Sequence, residues 1–92
     1  MASVIPSSKG FIVPTVAVRN FRDLAAVMKA ARESRDIRQE DLAEELGFPR
    51  IALSRLETGK SPLVISRLFR VLRRLGITLT VTYTIPTDPE HE

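Results

Sequence analysis

Residues 39–59, QEDLAEELGFPRIALSRLETG, decide how the rest of the chain is read. Leu42, Ala43 and Leu46 recur at helical spacing in the first half of this stretch, and Leu53 and Leu56 do so in the second. Gly47 falls where the first helix must stop, because glycine enters the left-handed conformation without a Cβ clash. Pro49 suits the first turn of the next helix, where its missing N–H is not needed. Gly59 ends that second helix in the same way. The spacing therefore predicts two short amphipathic helices joined by a four-residue turn. In that geometry the second helix can lie in the major groove of DNA.

With Leu53 and Leu56 assigned to the core, Arg50, Ile51, Ser54 and Arg55 are left on one side of the second helix, in its N-terminal half. Arginines there suit direct readout, since a guanidinium pairs bidentately with guanine O6 and N7. For Arg55 a phosphate contact is the competing assignment. Ile51 has no core reason to sit at an exposed helix start; contact with a thymine methyl supplies one, and an ordinary surface isoleucine is the alternative. Ser54 is placed to bond a base or phosphate, or only to support helix packing. Gln39, Thr58 and Lys60 are expected to hold the DNA backbone without reading sequence. Gln39 has the N–H groups of a helix start behind it, which favour an anion.

Toward the N-terminus, Asn20 is placed to cap a helix over 21–35, with Asp23 favouring its positive end. Leu24, Val27, Met28 and Ala31 form that helix's apolar stripe, and residues 34–38 make a polar connection to Gln39. Residues 11–18, FIVPTVAV, are β-prone, but Pro14 restricts any strand there to a sheet edge or a short extended arm. Residues 1–10 are rich in serine and small residues. The expected division is a flexible N-terminal arm over 1–19 and a helical domain over 20–76.

Toward the C-terminus, Ser61 and Pro62 open a helix running to Leu75. At about 100° per residue, Val64, Ile65, Leu68, Phe69, Val71, Leu72 and Leu75 cover an arc of about 160°. One small core needs less, so part of the arc is expected to bury against another chain. Arg67, Arg70, Arg73 and Arg74 take the opposite side. After Gly76 the period changes to two: Ile77, Leu79, Val81, Tyr83 and Ile85 alternate with threonines, a half-buried strand over 77–85. A lone strand leaves its backbone unsatisfied. Its partner is either the 11–18 segment or the same strand of a second subunit. The symmetric pairing is preferred, because a two-fold dimer is what a palindromic DNA site requires. Leu72, Ile77, Leu79, Val81 and Tyr83 are then the expected dimer interface. Residues 86–92 are expected to be a disordered acidic tail.

Composition narrows the function. With 92 residues there is room for one small core. The net charge of +3 is unevenly spread. Residues 46–75 carry Arg50, Arg55, Lys60, Arg67, Arg70, Arg73 and Arg74 against Glu57 alone, which suits a polyanionic partner. There is no cysteine, and the one histidine, His91, lies in the tail. With no metal cluster and no phosphate-binding glycine loop, neither an enzyme nor a cofactor nor a metal site is expected. The carboxylates Glu40, Asp41, Glu44 and Glu45 read as helix-dipole and solvent-facing acids. No apolar run approaches a membrane span and no signal pattern opens the chain, so a cytoplasmic protein without membrane contact is expected.

Gln39, Leu42-Ala43, Gly47, Ser54 and Glu57-x-Gly59, at these spacings, make residues 21–76 resemble the Cro/lambda-repressor-like XRE family of helix-turn-helix domains. The resemblance implies a mainly α fold, a four-helix XRE-type helix-turn-helix domain followed by a C-terminal β-strand that pairs in a dimer. It also implies a structural ion pair between Arg32 on the first helix and Glu57 closing the recognition helix. Such domains usually carry a fifth helix, which a threonine-rich strand replaces here. That departure, with the segment LFRVLRRLGITLTVTY, looks like the HipB type of antitoxin. The implied function is a dimeric, sequence-specific transcriptional repressor on an inverted-repeat operator. It would autorepress a toxin–antitoxin operon and bind a HipA-like serine/threonine kinase toxin. The alternatives are a stand-alone XRE-family regulator without a toxin, or an adaptor whose helix-turn-helix binds only protein.

Overall fold

The structure is a computed structural model and describes residues 2–6, 10–60 and 62–87. Its elements are β1 (Ala2–Pro6), β2 (Phe11–Val18), α1 (Phe21–Glu33), α2 (Gln39–Leu46), α3 (Arg50–Glu57), α4 (Leu63–Arg74), β3 (Leu79–Thr82) and β4 (Ile85–Pro86). The four helices arise where the apolar spacing predicts them. Asn20 accepts a 2.8 Å hydrogen bond from the Asp23 N–H, and the Asp23 carboxylate accepts one of 2.8 Å from the Arg19 N–H. Helix α1 is thereby closed at its start by two side-chain bonds to backbone N–H groups. Pro49 and Pro62 flank α3 and α4 in extended conformation, one residue before each helix begins. Ser61 lies outside the described residues.

All four helices end in the same way. A residue one to three positions past the helix turns left-handed, and the next N–H reaches back to a carbonyl five residues earlier, as Lys60 does to Arg55 and Ile77 to Leu72. Three of those left-handed residues are glycines; after α1 it is Asp36, at φ 56°. Gly59 answers to a second constraint. A Cβ there would lie 3.1 Å from the Arg22 Cα, so α1 and the end of α3 approach closely only because that position is bare.

The strands correct the sequence reading. Residues 11–18 are neither an edge strand nor a flexible arm: β2 is the strand on which the others assemble. It pairs antiparallel with β1 on one side and with β3 and β4 on the other. Of the two partners open to the C-terminal strand, the observed one is 11–18 of the same chain. One register, Val18 opposite Leu79 through Phe11 opposite Pro86, runs across both β3 and β4. Pro14 is tolerated in this central strand because the ladder breaks beside it. The Tyr83 N–H donates to the Pro14 carbonyl at 3.3 Å, the proline has no N–H to return, and residues 83–84 separate β3 from β4. Arg35 fills the gap, donating to the Thr84 carbonyl at 3.0 Å and to its hydroxyl at 2.6 Å. Pro86 and Thr87 continue the register past the expected end of the strand, with the Thr87 N–H bonded to the Gly10 carbonyl. The tail over 88–92 lies outside the described residues.

Among the described residues the apolar core is small. Pro14 and Val18 of β2 are buried, with Ala25 of α1, Ala43 of α2, Leu53 of α3 and Phe69 of α4, and no large side chain is sealed completely. Helix α1 is the shared layer, packing on α3, α4 and β2.

Candidate nucleic-acid interface

Helix α3 is fixed from beneath by a polar network. The Arg32 guanidinium donates to both oxygens of Glu57, Nε to Oε2 at 2.7 Å and Nη2 to Oε1 at 3.0 Å, and its Nη1 donates to the Ile37 carbonyl at 2.6 Å. Gln39 adds a bond from Nε2 to Glu57 Oε1 at 2.9 Å. Glu57 is only 7% exposed, yet no buried side-chain polar atom described is left without a partner. Burial pushes the Glu57 carboxyl up. The hydrogen bonds from Arg32 and Gln39 and the positive charges of Arg32 and Lys29 outweigh that and hold it below the usual carboxylate range. The Glu57 hydrogen bond in turn raises the Arg32 pKa further against the opposing effect of burial. A paired and fully bonded charge is the form in which burial is tolerated.

Gln39 links this network to the surface. Its Oε1 accepts from Arg50 Nε at 3.3 Å, so the first residue of α3 is tethered to the first residue of α2. The side chain that the sequence directs at a phosphate is thus committed within the chain. The sequence carried a signal for this: once Arg32 has taken both Glu57 oxygens, their remaining lone pairs still call for a donor.

Above the network, Arg50, Ile51 and Arg55 are exposed and Ser54 is half-buried. At about 100° per residue the four share one side of α3, away from Leu53 and Leu56. Ile51 is 58% exposed. Thr58 and Lys60 are exposed at the end of α3, the Thr58 hydroxyl donating to the Arg55 carbonyl at 3.0 Å. Among the described residues no carboxylate lies within ion-pair distance of Arg50, Arg55 or Lys60. The edge is cationic and uncompensated.

The residues expected at a dimer interface are in part covered within the chain. Tyr83 lines the crevice between α1 and the sheet with Ala26, Val27 and Ala30. Leu72, Leu79 and the more exposed Ile77 line another between α4 and β2. Val81 is half-buried in β3. Large apolar residues are exposed in a run on and just after α4, at Leu63, Val64, Leu68, Val71, Leu75 and Ile77, and singly at Phe11, Leu46 and Ile51.

Two short helices joined through a left-handed glycine, the second with a free cationic edge, define a helix-turn-helix module of the DNA-binding class. A family model described as HTH_3: Helix-turn-helix matches residues 28–81. The chain belongs to this XRE-type helix-turn-helix family, a family of DNA-binding transcription regulators. No curated protein and no solved structure matches it. The family match runs past α4 and ends within β3. Among the described residues no helix is long and apolar enough to cross a membrane.

Proposed function

We propose that this chain is a sequence-specific transcriptional repressor that binds an inverted-repeat operator as a homodimer, reading bases with Arg50, Ile51, Ser54 and Arg55. The observation that carries this is the α3 edge, where two arginines without a carboxylate partner flank an isoleucine that the core does not use. Arg50 reaches a guanine edge with its guanidinium pre-oriented by Gln39, and Ile51 packs on a thymine methyl. Thr58, Lys60 and the first turn of α2 hold phosphates. Gln39 serves this reading as the tether of Arg50 rather than through its own amide.

Dimerisation uses the outer edge of β3. The sheet order puts β3 beside β2 on one side only, and among the described residues no strand pairs with its other side. Tyr83 and Thr87 bond inward to β2, and ladder groups alternate in direction, so the N–H and C=O of Thr80 and Thr82 point outward. Pairing this edge with its two-fold copy brings Ile77, Leu79 and Val81 of two subunits side by side. The finer reading is the antitoxin of a HipBA-like operon, autorepressing and holding a HipA-like kinase toxin. It draws on the resemblance of the α4–β3 segment and on an apolar α4 surface that leaves room for a second protein.

A DNase footprint on the DNA upstream of the chain's own gene, with wild type and Arg50→Ala, tests the reading. A protected inverted repeat that is lost in the variant is the expected result. No protection, or equal protection by both, would contradict it.

A further inference from the structure

The α4 surface carries more than an excess of apolar residues. Val64, Leu68, Val71 and Leu75 are 68, 48, 52 and 64% exposed and follow one another at steps of four, three and four. At about 100° per residue they form a narrow seam about 60° wide, with Arg67, Arg74 and Arg70 successively farther along one flank. Arg67, Arg70, Val71, Arg74 and Leu75 together line a shallow depression of about 550 Å³. On the other flank Ile65 and Leu72 turn into the chain's own core beside the buried Phe69. Helix α4 has no acidic residue, and among the described residues no carboxylate or other hydrogen-bonding partner engages Arg67, Arg70 or Arg74.

We infer that this seam docks an amphipathic helix of another protein, one with an apolar stripe bordered by glutamates or aspartates on the side that meets the arginines. The spacing selects a helix, because a four-three-four seam is the surface that interlocks with the side chains of a second helix. The flank selects the charge. A second copy of α4 fits poorly. In an antiparallel two-fold pair each flank meets its own copy, so Arg67 and Arg74 would face Arg67 and Arg74. In a parallel pair the arginine flank would meet the side already occupied by Ile65 and Leu72. A bilayer surface is also a poor match, since interfacial helices present a broad apolar face and this one is narrow and anchored by Phe69. The inference goes beyond operator binding, does not require the partner to be a kinase, and leaves the β3 edge free for the dimer.

The test uses the full chain and two synthetic helical peptides of about 14 residues. Both carry leucines at the four-three-four spacing; one has glutamates on one flank and its twin has lysines there. Fluorescence anisotropy should show the glutamate peptide binding and the lysine peptide not. Leu68→Asp should abolish the binding, and R67E/R74E should weaken it about tenfold while gaining the lysine peptide. Circular dichroism checks that each variant is folded, and the solvent-exposed R67E/R74E pair keeps the test alive should Leu68→Asp fold badly. Equal binding of both peptides, or of neither, overturns the inference. So does loss of the dimer by sedimentation in folded R67E/R74E or Leu68→Asp, which would make the seam a self-interface. Binding of anionic lipid vesicles in place of the peptide would overturn it as well. The DNA footprint of R67E/R74E is expected to persist, so failure here is separable from failure of the operator reading.

Discussion

Helices α3 and α4 both expose large apolar residues, and what lies beneath and beside those residues differs. On α3 a single isoleucine, Ile51, stands between Arg50 and Arg55, and the helix under it is locked by Glu57, Arg32 and Gln39. On α4 a whole seam is exposed over one buried residue, Phe69. An isolated apolar side chain on a rigid, cationic helix suits contact with a base, where small displacements cost specificity. A contiguous apolar seam suits a protein surface, because water rather than a nucleic acid is what it excludes. The chain therefore presents two surfaces of different chemistry, and each can be disturbed without the other.

The largest expected effect sits under α3. Glu57→Ala or Arg32→Ala should each lower stability by ~3–5 kcal/mol, since either leaves a buried charge unpaired. Urea denaturation measures this, and a loss below ~1 kcal/mol would mean the pair does not anchor the helix. The pH dependence has a definite sign. The folded Glu57 pKa lies below its unfolded value, so its contribution is fully present above the ordinary carboxylate range and is lost as pH falls through the folded value. Acid titration of Glu57→Gln should lack that component.

Next in size, Arg50→Ala should weaken operator binding by ~1–3 kcal/mol while leaving the denaturation midpoint unchanged. A variant that loses stability in proportion would show Arg50 to be structural. Gly59→Ala should cost ~1–2 kcal/mol from the left-handed backbone, and more than Gly47→Ala, because only Gly59 also crowds Arg22. Equal losses would mean that α1 yields at that contact. Smallest of all, Leu68→Gln should change stability by no more than ~0.5 kcal/mol, the value for an exposed site. A larger loss, concentration-dependent in thermal melts, would place the α4 seam inside a folded dimer and erase the contrast between the two helices.

The helices were legible in the sequence because their signals are local: apolar residues within one or two turns, a cap at Asn20, a left-handed glycine at Gly47. The family pattern also placed Arg32 and Glu57 together, 25 residues apart, and the structure joins them through two hydrogen bonds. The sheet was less legible. Pairing of Val18 with Leu79 spans the whole helical domain, and no local pattern encodes it. Pro14 argued against a central strand on the assumption that every N–H in such a strand is needed. Here the opposing strand simply breaks at residues 83–84 and Arg35 takes up Thr84. Asp36 adopts a conformation that otherwise belongs to glycine among the described residues, and the side chain of Gln39 bonds to Glu57 and Arg50 within the chain. The excess of apolar residues on α4 was visible from its arc. Which part remained uncovered depended on how far β2 and α1 reach around it.

The measurement that tests the DNA-reading role of α3 most directly is the salt dependence of binding to the footprinted duplex, for wild type, Arg50→Ala and Lys60→Ala. Wild-type affinity should fall steeply as salt rises. Lys60→Ala should bind all sequences more weakly, with the log–log slope reduced by about 1, whereas Arg50→Ala should lose discrimination between the operator and a mutated half-site. An affinity that does not respond to salt, or an Arg50→Ala protein that discriminates as well as wild type, would contradict the assignment of α3 as the reading helix.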